Sequence, residues 1–454
     1  MTKPKNTDLE HFILDKLWGR LTLLQSKAEK EELIQILLTS GPGTDDKDRL
    51  KKDLQSISGG DERSKFIHGF LSYGIIEDLL CDSEVEDIII NSLNPIYVHH
   101  SQKGLVSTNR RFLSQKDLDL FMRKLVLFSG RNEIKKIMNL ELPNLEGRVN
   151  IVLSPFGPQI TITKAKVEPL SIIDLIKRET LTYEVAAQLW LYLEGLSIKP
   201  ANIIIAGGPG TGKTTLLNAL FSFIPSNERM VVIEDTLELN TFLEDSCSRL
   251  ESDDDVSLAQ LVKNSLRMRP DRVVVGEVRG SEARDMITAV NIGKNCLGTI
   301  HAATAREAIL RLQNEPMNVP EILVNLVDVF VIMKRFHVGE KVYRVIDEVS
   351  ETGGMEQKTV LLSQIFKYDY ERKAIRNITT STVYRDRLAK MAGLTPREIM
   401  DEVEIRALAL KTLAQKNIHS MKEISVFCHT YNKNPKETLA SIGLDREQLI
   451  KNRK

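Results

Sequence analysis

The stretch Asn202-Ile-Ile-Ile-Ala206-Gly207-Gly-Pro-Gly-Thr-Gly-Lys213-Thr214-Thr215-Leu-Leu decides the fold. An apolar strand runs into GxxxxGK[ST] and then into a helix, the context that a phosphate loop requires. Its glycines let the chain wrap so that successive N–H groups point inward at phosphate oxygens, beside the positive end of a helix. Gly208, Pro209, Gly210, Thr211, Gly212, Lys213, Thr214 and Thr215 are the expected contacts. Lys213 is expected to reach the β and γ phosphates, and Thr214 to offer its hydroxyl to Mg²⁺. A dinucleotide fingerprint is excluded. Counting GxGxxG from Gly208 places Lys213 sixth, and counting from Gly207 places Pro209 third.

Outward from this loop, apolar runs recur at Met230-Val-Val-Ile233, Arg272-Val-Val-Val275, Gly298-Thr-Ile300 and Val327 to Met333. Helical stretches lie between most of them, and another, Tyr183 to Leu196, precedes the first strand. Nearly all-apolar strands alternating with helices point to a parallel sheet covered on both faces. Three clusters fall at or just beyond strand ends, where such sheets bind ligands. They are Glu234-Asp235-Thr-Leu-Glu238, Asp271 to Arg279 with Glu277 at the strand end, and Gly298-Thr-Ile-His301-Ala302. Singly, each has a plain structural explanation as a solvated loop, a helix cap or a core histidine. Their weight comes from their order behind a sound phosphate loop.

The rest of the chain divides by pattern. Residues 1–60 read as a helical lead-in, because Leu9, Phe12, Ile13, Leu17, Leu21 and Leu24 recur at spacings of three and four; Ser40-Gly41-Pro42-Gly43 then stops the pattern. Residues 61–166 read as a smaller mixed α/β domain. It has strands at 87–91 and 96–98 joined by Asn94-Pro95, a helix capped by Ser114 and running to about Leu127, and strands at 150–153 and 159–162. Residues 167–182 are expected to link it to the nucleotide-binding domain, 183–345. Residues 346–454 read as a β stretch followed by helices. Thr395-Pro-Arg-Glu398 is a capping box there, and Asn434-Pro435 opens a last short helix.

Composition removes several classes. In 454 residues, 62 Lys and Arg balance 62 Asp and Glu, so no global field draws the protein to a polyanion. Apolar residues make up 42% and charged residues 27%, ordinary for a globular protein. Cys81, Cys247, Cys296 and Cys428 form no CxxC pair, which excludes a zinc ribbon of neighbouring thiols and fits a reducing cytosol. No run is long enough to span a membrane, and Lys3, Lys5, Asp8 and Glu10 stand where a signal peptide needs an apolar core. A cytoplasmic protein without direct membrane insertion is expected.

In this order the four boxes resemble the type II/type IV secretion ATPase superfamily. They correspond to Walker A at Gly207–Thr214, an acidic box at Glu234–Glu238, an atypical Walker B at Arg272–Glu277 and a His box at Gly298–Ala302. Leu266-Arg-Met-Arg-Pro-Asp-Arg272, continued by Gly276-Glu-Val-Arg-Gly280, is close to the family's wording, and Pro316-Met-Asn-Val-Pro320 is similar to its archaeal branch, which includes the archaellum motor. The resemblance spans about 65 to 450. It implies a RecA-like P-loop motor domain, a smaller N-terminal domain and a mostly helical C-terminal extension. It also implies ATP and Mg²⁺ as cofactors, a homohexamer, a polytopic membrane platform protein as partner and pilin-like substrates handled indirectly.

The same resemblance implies roles. Glu277 would orient or activate water and reach the metal through a water, Glu234 and Glu238 would support it, and His301 would sense the γ-phosphate. Arg249, Arg267, Arg269 and Arg279 are the candidate arginines, with Arg267 and Arg269 favoured as a pair. Two departures stand out. Ile162-Thr163-Lys164-Ala165 replaces the usual Ile-Arg-Lys/Arg-Phe, and Glu141 stands where relatives carry an arginine. One alternative is a RecA-like nucleic-acid motor or DNA-export ATPase. It is disfavoured, because no basic, aromatic loop for nucleic acid is evident. A non-hydrolysing ring component is the second.

Overall fold

A computed structural model describes residues 7–21, 26–40, 57, 59–101, 103–142, 147–164, 169–240, 246–253, 255–339, 341–357, 359–379 and 383–451. Leu24, Gly41, Pro42, Gly43 and Ala165 lie outside the described residues. The chain separates into two compact units, 1–167 and 168–454.

The first unit is built on an antiparallel sheet of β1 (Val85–Asn91), β2 (Tyr97–His100), β3 (Gly104–Ser107), β4 (Ile137–Leu142), β5 (Gly147–Ser154) and β6 (Gly157–Lys164). Their order is β3-β2-β1-β6-β5-β4. The helix Gln115–Phe128 buries Leu118, Phe121, Met122 and Leu125, and Ser114 accepts from the Asp117 N–H as its N-cap. The stripe Leu9, Ile13, Leu17 and Leu21 sinks into the same core as Ile88, Ile90 and Ile160. The described part of the lead-in therefore belongs to this unit. β3 and β4 escaped the sequence reading. β3 is half exposed along its length, so its apolar residues are too few to mark it.

The second unit carries nine strands: β7 (Ile203–Gly207), β8 (Met230–Glu234), β9 (Cys247–Glu251), β10 (Arg272–Val278), β11 (Asn295–Ile300), β12 (Val329–Val338), β13 (Lys341–Glu356), β14 (Thr359–Asp369) and β15 (Ala374–Asn377). They lie in the order β15-β14-β13-β12-β7-β11-β10-β8-β9. β12, β7, β11, β10, β8 and β9 run parallel, and β13 to β15 are added antiparallel beyond β12.

Two separate cores show why these strands are apolar at consecutive positions. Ile203 and Ile205 of β7, Met230 and Val232 of β8, and Val329 and Val331 of β12 face one core. Ile204, Ala206, Val231, Ile233, Phe330 and Ile332 face the other. A strand covered on both sides cannot alternate. The fold is α/β, with a RecA-like parallel sheet and helices on both faces.

Two expected boundaries fall inside packed structure. Within 167–182, the helix Ile172–Lys177 is closed by a Ser171–Asp174 capping box and buries Ile172, Ile173 and Leu175. The boundary at 345 cuts β13, which runs on to Glu356. The C-terminal helices Val383–Ala392, Pro396–Gln415 and Met421–Lys433 put Tyr384, Leu410, Phe427 and Tyr431 into the first of those two cores. Thr395 and Glu398 form the expected capping box. Beyond the helix Pro435–Ser441, a further one spans Arg446–Lys451. All four cysteines are free. No helix among the described residues is long and apolar enough to cross a membrane.

Candidate active site

The phosphate loop joins β7 to the helix Lys213–Leu220. Gly210 (φ +66°) and Gly212 (φ +94°) take left-handed backbone that other residues adopt only under strain. At Gly207 the constraint is space, because a Cβ would lie 2.7 Å from the Met333 carbonyl oxygen. Several other helices begin on a side-chain cap, among them those starting after Ser114, Thr182, Ser257 and Thr304. The helix after Gly212 has no side-chain cap and no acid in its first turn. Its leading N–H groups are left for an anion.

Lys213 is buried, donating from Nζ to the carbonyls of Gly207 (3.0 Å) and Gly208 (3.1 Å). Burial holds its ammonium below the ordinary lysine range, while Glu277 pulls the other way. Nζ also lies 3.5 Å from Nδ1 of His301, at the end of β11. The other ring nitrogen, Nε2, sits 2.6 Å from Oε1 of Glu277 on β10. Oε2 of the same carboxylate accepts from Arg279 at 2.7 Å, and the second arm of Arg279 reaches Asp235 at 3.2 Å. The adjacent, register-matched ends of β8, β10 and β11 thus assemble Asp235, Glu277, Arg279 and His301 beside the loop.

Electrostatics separates the glutamates. Burial pushes the Glu277 carboxyl up, but the hydrogen bond and charge of Arg279, with His301 and Lys213, bring it below the usual value. Glu277 is therefore held ionised. Glu234 is the opposite case. It is buried at the end of β8, and desolvation pushes it up to about 7. Oε1 accepts from the N–H groups of Glu238 (2.9 Å) and Leu239 (3.0 Å). Among the described residues Oε2 has no hydrogen-bond partner, and Arg249 of β9 stands 3.8 Å away. Gly276 makes room for this side chain, since a Cβ there would meet the Glu234 Cγ at 2.8 Å. Glu238 is exposed and adds its charge to both Lys213 and Arg279.

The favoured arginine pair is not in this cluster. Arg267 and Arg269 are both exposed, and neither makes an ion pair among the described residues. Within the chain, Arg279 is the arginine on Glu277, because the turn after β10 folds it back. Glu282 fixes that turn by accepting from the N–H groups of Arg279 (2.5 Å) and Gly280 (2.6 Å). Arg279 and His301 also line a cavity of about 420 Å³ with Glu307, Leu310, Arg311 and Met317. Thr211 donates to the Gly208 carbonyl at 2.9 Å, and Thr214 and Thr215 are half-buried in the first helical turn. In the first unit, Thr163 donates to Asp87 at 2.7 Å and Lys164 to the carbonyls of Leu79 and Asp82.

Sequence reasoning missed Arg335 and Arg344. They reach the loop from β12 and β13, strands without any motif of their own. Arg344 Nε donates to the Gly210 carbonyl at 3.0 Å.

Comparison with known proteins places the chain in a family. A family described as "Type II/IV secretion system protein" matches residues 134–339. An uncharacterised protein of Methanocaldococcus jannaschii is 29% identical over 442 residues, covering 93% of this chain and 77% of its own. Conjugal transfer protein TrbB of Rhizobium radiobacter is 30% identical over 284 residues, covering 59% of this chain and 86% of TrbB. Among solved structures, the Legionella pneumophila ATPase DotB is similar at a TM-score of 0.44 and 19% identity, over 82% of this chain and 92% of DotB. The chain belongs to the type II/type IV secretion system ATPase superfamily.

Proposed function

We propose that this chain hydrolyses ATP at the Lys213 loop and uses it to drive a secretion or pilus-assembly machine. The contact chain Lys213–His301–Glu277–Arg279 carries the reading. It links the group that would hold the β and γ phosphates to the carboxylate that would orient water. Phosphates would settle on the uncapped helix start, and Lys213 would exchange the carbonyls of Gly207 and Gly208 for phosphate oxygens. Glu277 orients the attacking water and takes its proton. His301 bridges Lys213 and Glu277, so loss of the terminal phosphate is felt at the ends of both β10 and β11.

Mg²⁺ would be held by the Thr214 hydroxyl and, through water, by Glu277, neutralising charge on the β and γ oxygens. The buried Glu234 Oε2, without a donor, fits an additional water at the site. Glu234 and Glu238 support this water; Arg249, Arg267 and Arg269 are proposed to act at the site of the same or an adjacent subunit.

Family membership supports the finer reading: a homohexamer at the cytoplasmic face of the membrane, working a polytopic platform protein and, through it, pilin-like subunits. The relationship to TrbB, a conjugal transfer protein, supports DNA export as the second reading. The test is steady-state ATP hydrolysis beside Lys213→Ala and Glu277→Gln, with each protein sized with and without nucleotide. Glu277→Gln should still bind ATP but lose about 10² to 10⁴ in rate. Full hydrolysis by Glu277→Gln would refute the assignment, and a wild type that binds ATP without turnover would favour a non-hydrolysing ring component.

A further inference from the structure

The β12–β13 hairpin does something the four family boxes do not describe. Arg335 and Arg344 stand directly opposite each other in its ladder. Both are exposed, so water screens the repulsion between their charges. Both point at the phosphate loop. Arg344 Nε bonds the Gly210 carbonyl at 3.0 Å, and a Cβ on Gly210 would stand 3.3 Å from the nearer guanidinium nitrogen of Arg335. Met333, two residues before Arg335 on the same face, comes within 3.6 Å of where a Cβ on Gly212 would be, and Arg344 Cδ within 3.8 Å. On the opposite face Phe336 stacks on Tyr343, with ring centroids 5.4 Å apart and planes 8° from parallel, which stiffens the hairpin.

Strand order places this pair. β12 borders β7 on one side and β11 borders it on the other. Lys213, His301 and Glu277 therefore occupy the β11 side of the loop, and the two arginines occupy the β12 side. A nucleotide with its terminal phosphate near Lys213 and Glu277 must leave the loop at its other end. We propose that Arg335 and Arg344 grip the α,β-diphosphate portion of the bound nucleoside di- or triphosphate, a contact shared by ATP and ADP and indifferent to the base. The proposal rests on the phosphate-loop reading above. A planar guanidinium fork suits a phosphate oxygen pair, and two forks on one stiff hairpin arrive pre-organised.

Arg335 is the cleaner probe, because Arg344 also braces the loop carbonyl. Calorimetric titration of the full chain with ADP, GDP and ATP, in wild type, Arg335→Ala, Arg335→Lys and Lys213→Ala, tests the assignment. Arg335→Ala should weaken all three nucleotides alike, roughly ten- to hundredfold, as for one charge-assisted hydrogen bond. Arg335→Lys should fall between, and melting of both Arg335 variants should match wild type. Unchanged affinities overturn the proposal. So does a loss confined to ATP, which would put the guanidinium at the γ-phosphate, or one that spares GDP, which would put it at the base. A wild type that binds no nucleotide sinks the phosphate-site reading and this proposal together, whereas a binding wild type with an unaffected Arg335→Ala sinks this proposal alone.

Discussion

Glu234→Gln should stabilise the protein at alkaline pH and do nothing for it in acid. The carboxyl is pushed up to about 7 from an ordinary value of 4.5, chiefly by burial. Below pH 4.5 the group is protonated whether the chain is folded or unfolded, so it contributes nothing. Between 4.5 and 7 the unfolded chain releases its proton while the folded chain keeps it, and the native state loses ground with each step of pH. Above 7 the penalty levels off at roughly 3–4 kcal/mol, at about 1.4 kcal/mol for each tenfold change in proton affinity between 4.5 and about 7. Glutamine keeps an oxygen for the Glu238 and Leu239 N–H groups and carries no charge to desolvate. Its amide would turn toward Arg249, and that reduces the gain to roughly 1–3 kcal/mol. For a unit of this size that is a rise in melting temperature of several degrees at pH 8. Differential scanning calorimetry at pH 5 and pH 8, on wild type and variant, reads it directly. A gain equal at both pH values, or a loss at pH 8, would falsify the argument from desolvation.

Three further outcomes follow from the same geometry. Arg279→Ala removes the main group that keeps Glu277 ionised, leaving burial to raise its pKa; the acid limb of the ATPase pH profile should move to higher pH, and an unmoved limb would detach Arg279 from Glu277. Arg406→Leu should destabilise by about 3–5 kcal/mol, because Glu194 and Glu402, both buried, lose their shared guanidinium at 2.7 and 3.0 Å; an unchanged melting temperature would contradict this. Gly212→Ala should cost roughly 1–2 kcal/mol from its left-handed backbone alone, and nucleotide binding should fall with it; an alanine variant with wild-type melting and ADP affinity would show that the loop relaxes freely.

The parallel core was legible because each of its strands is buried on both faces. Ile203 to Ile205 must be apolar at every position, and a loop of fixed spacing follows immediately. The edges were not. β9 alternates between half-buried and exposed residues, as does β3, and neither carries enough apolar side chains to stand out. The boundary expected at 345 falls within a strand for a related reason. β13 is polar at its start and buried from Val345 to Thr352, where it passes between β12 and β14. What looks like a change of composition is one strand crossing from solvent into the core.

The site divides along the same line. Glu234, Glu277 and His301 could be found because each ends a core strand, and in a parallel sheet neighbouring strand ends must meet at one edge. Which arginine serves them could not be found in this way. Arg267 and Arg269 carry the family's wording but project from a short turn into solvent, whereas Arg279 is brought onto Glu277 by a bend that depends on Glu282, three residues further on. Arg335 and Arg344 are further from any motif still. Their approach to Gly210 depends on how far β12 extends past the end of β7, since Met333 pairs with Gly207 and the hairpin continues to Val338. Strand overhang is a property of the sheet and not of any local run of residues. The groups proposed to act on water are thus written into the strand ends, while the groups proposed to hold the rest of the nucleotide come from an extension that only the assembled sheet reveals.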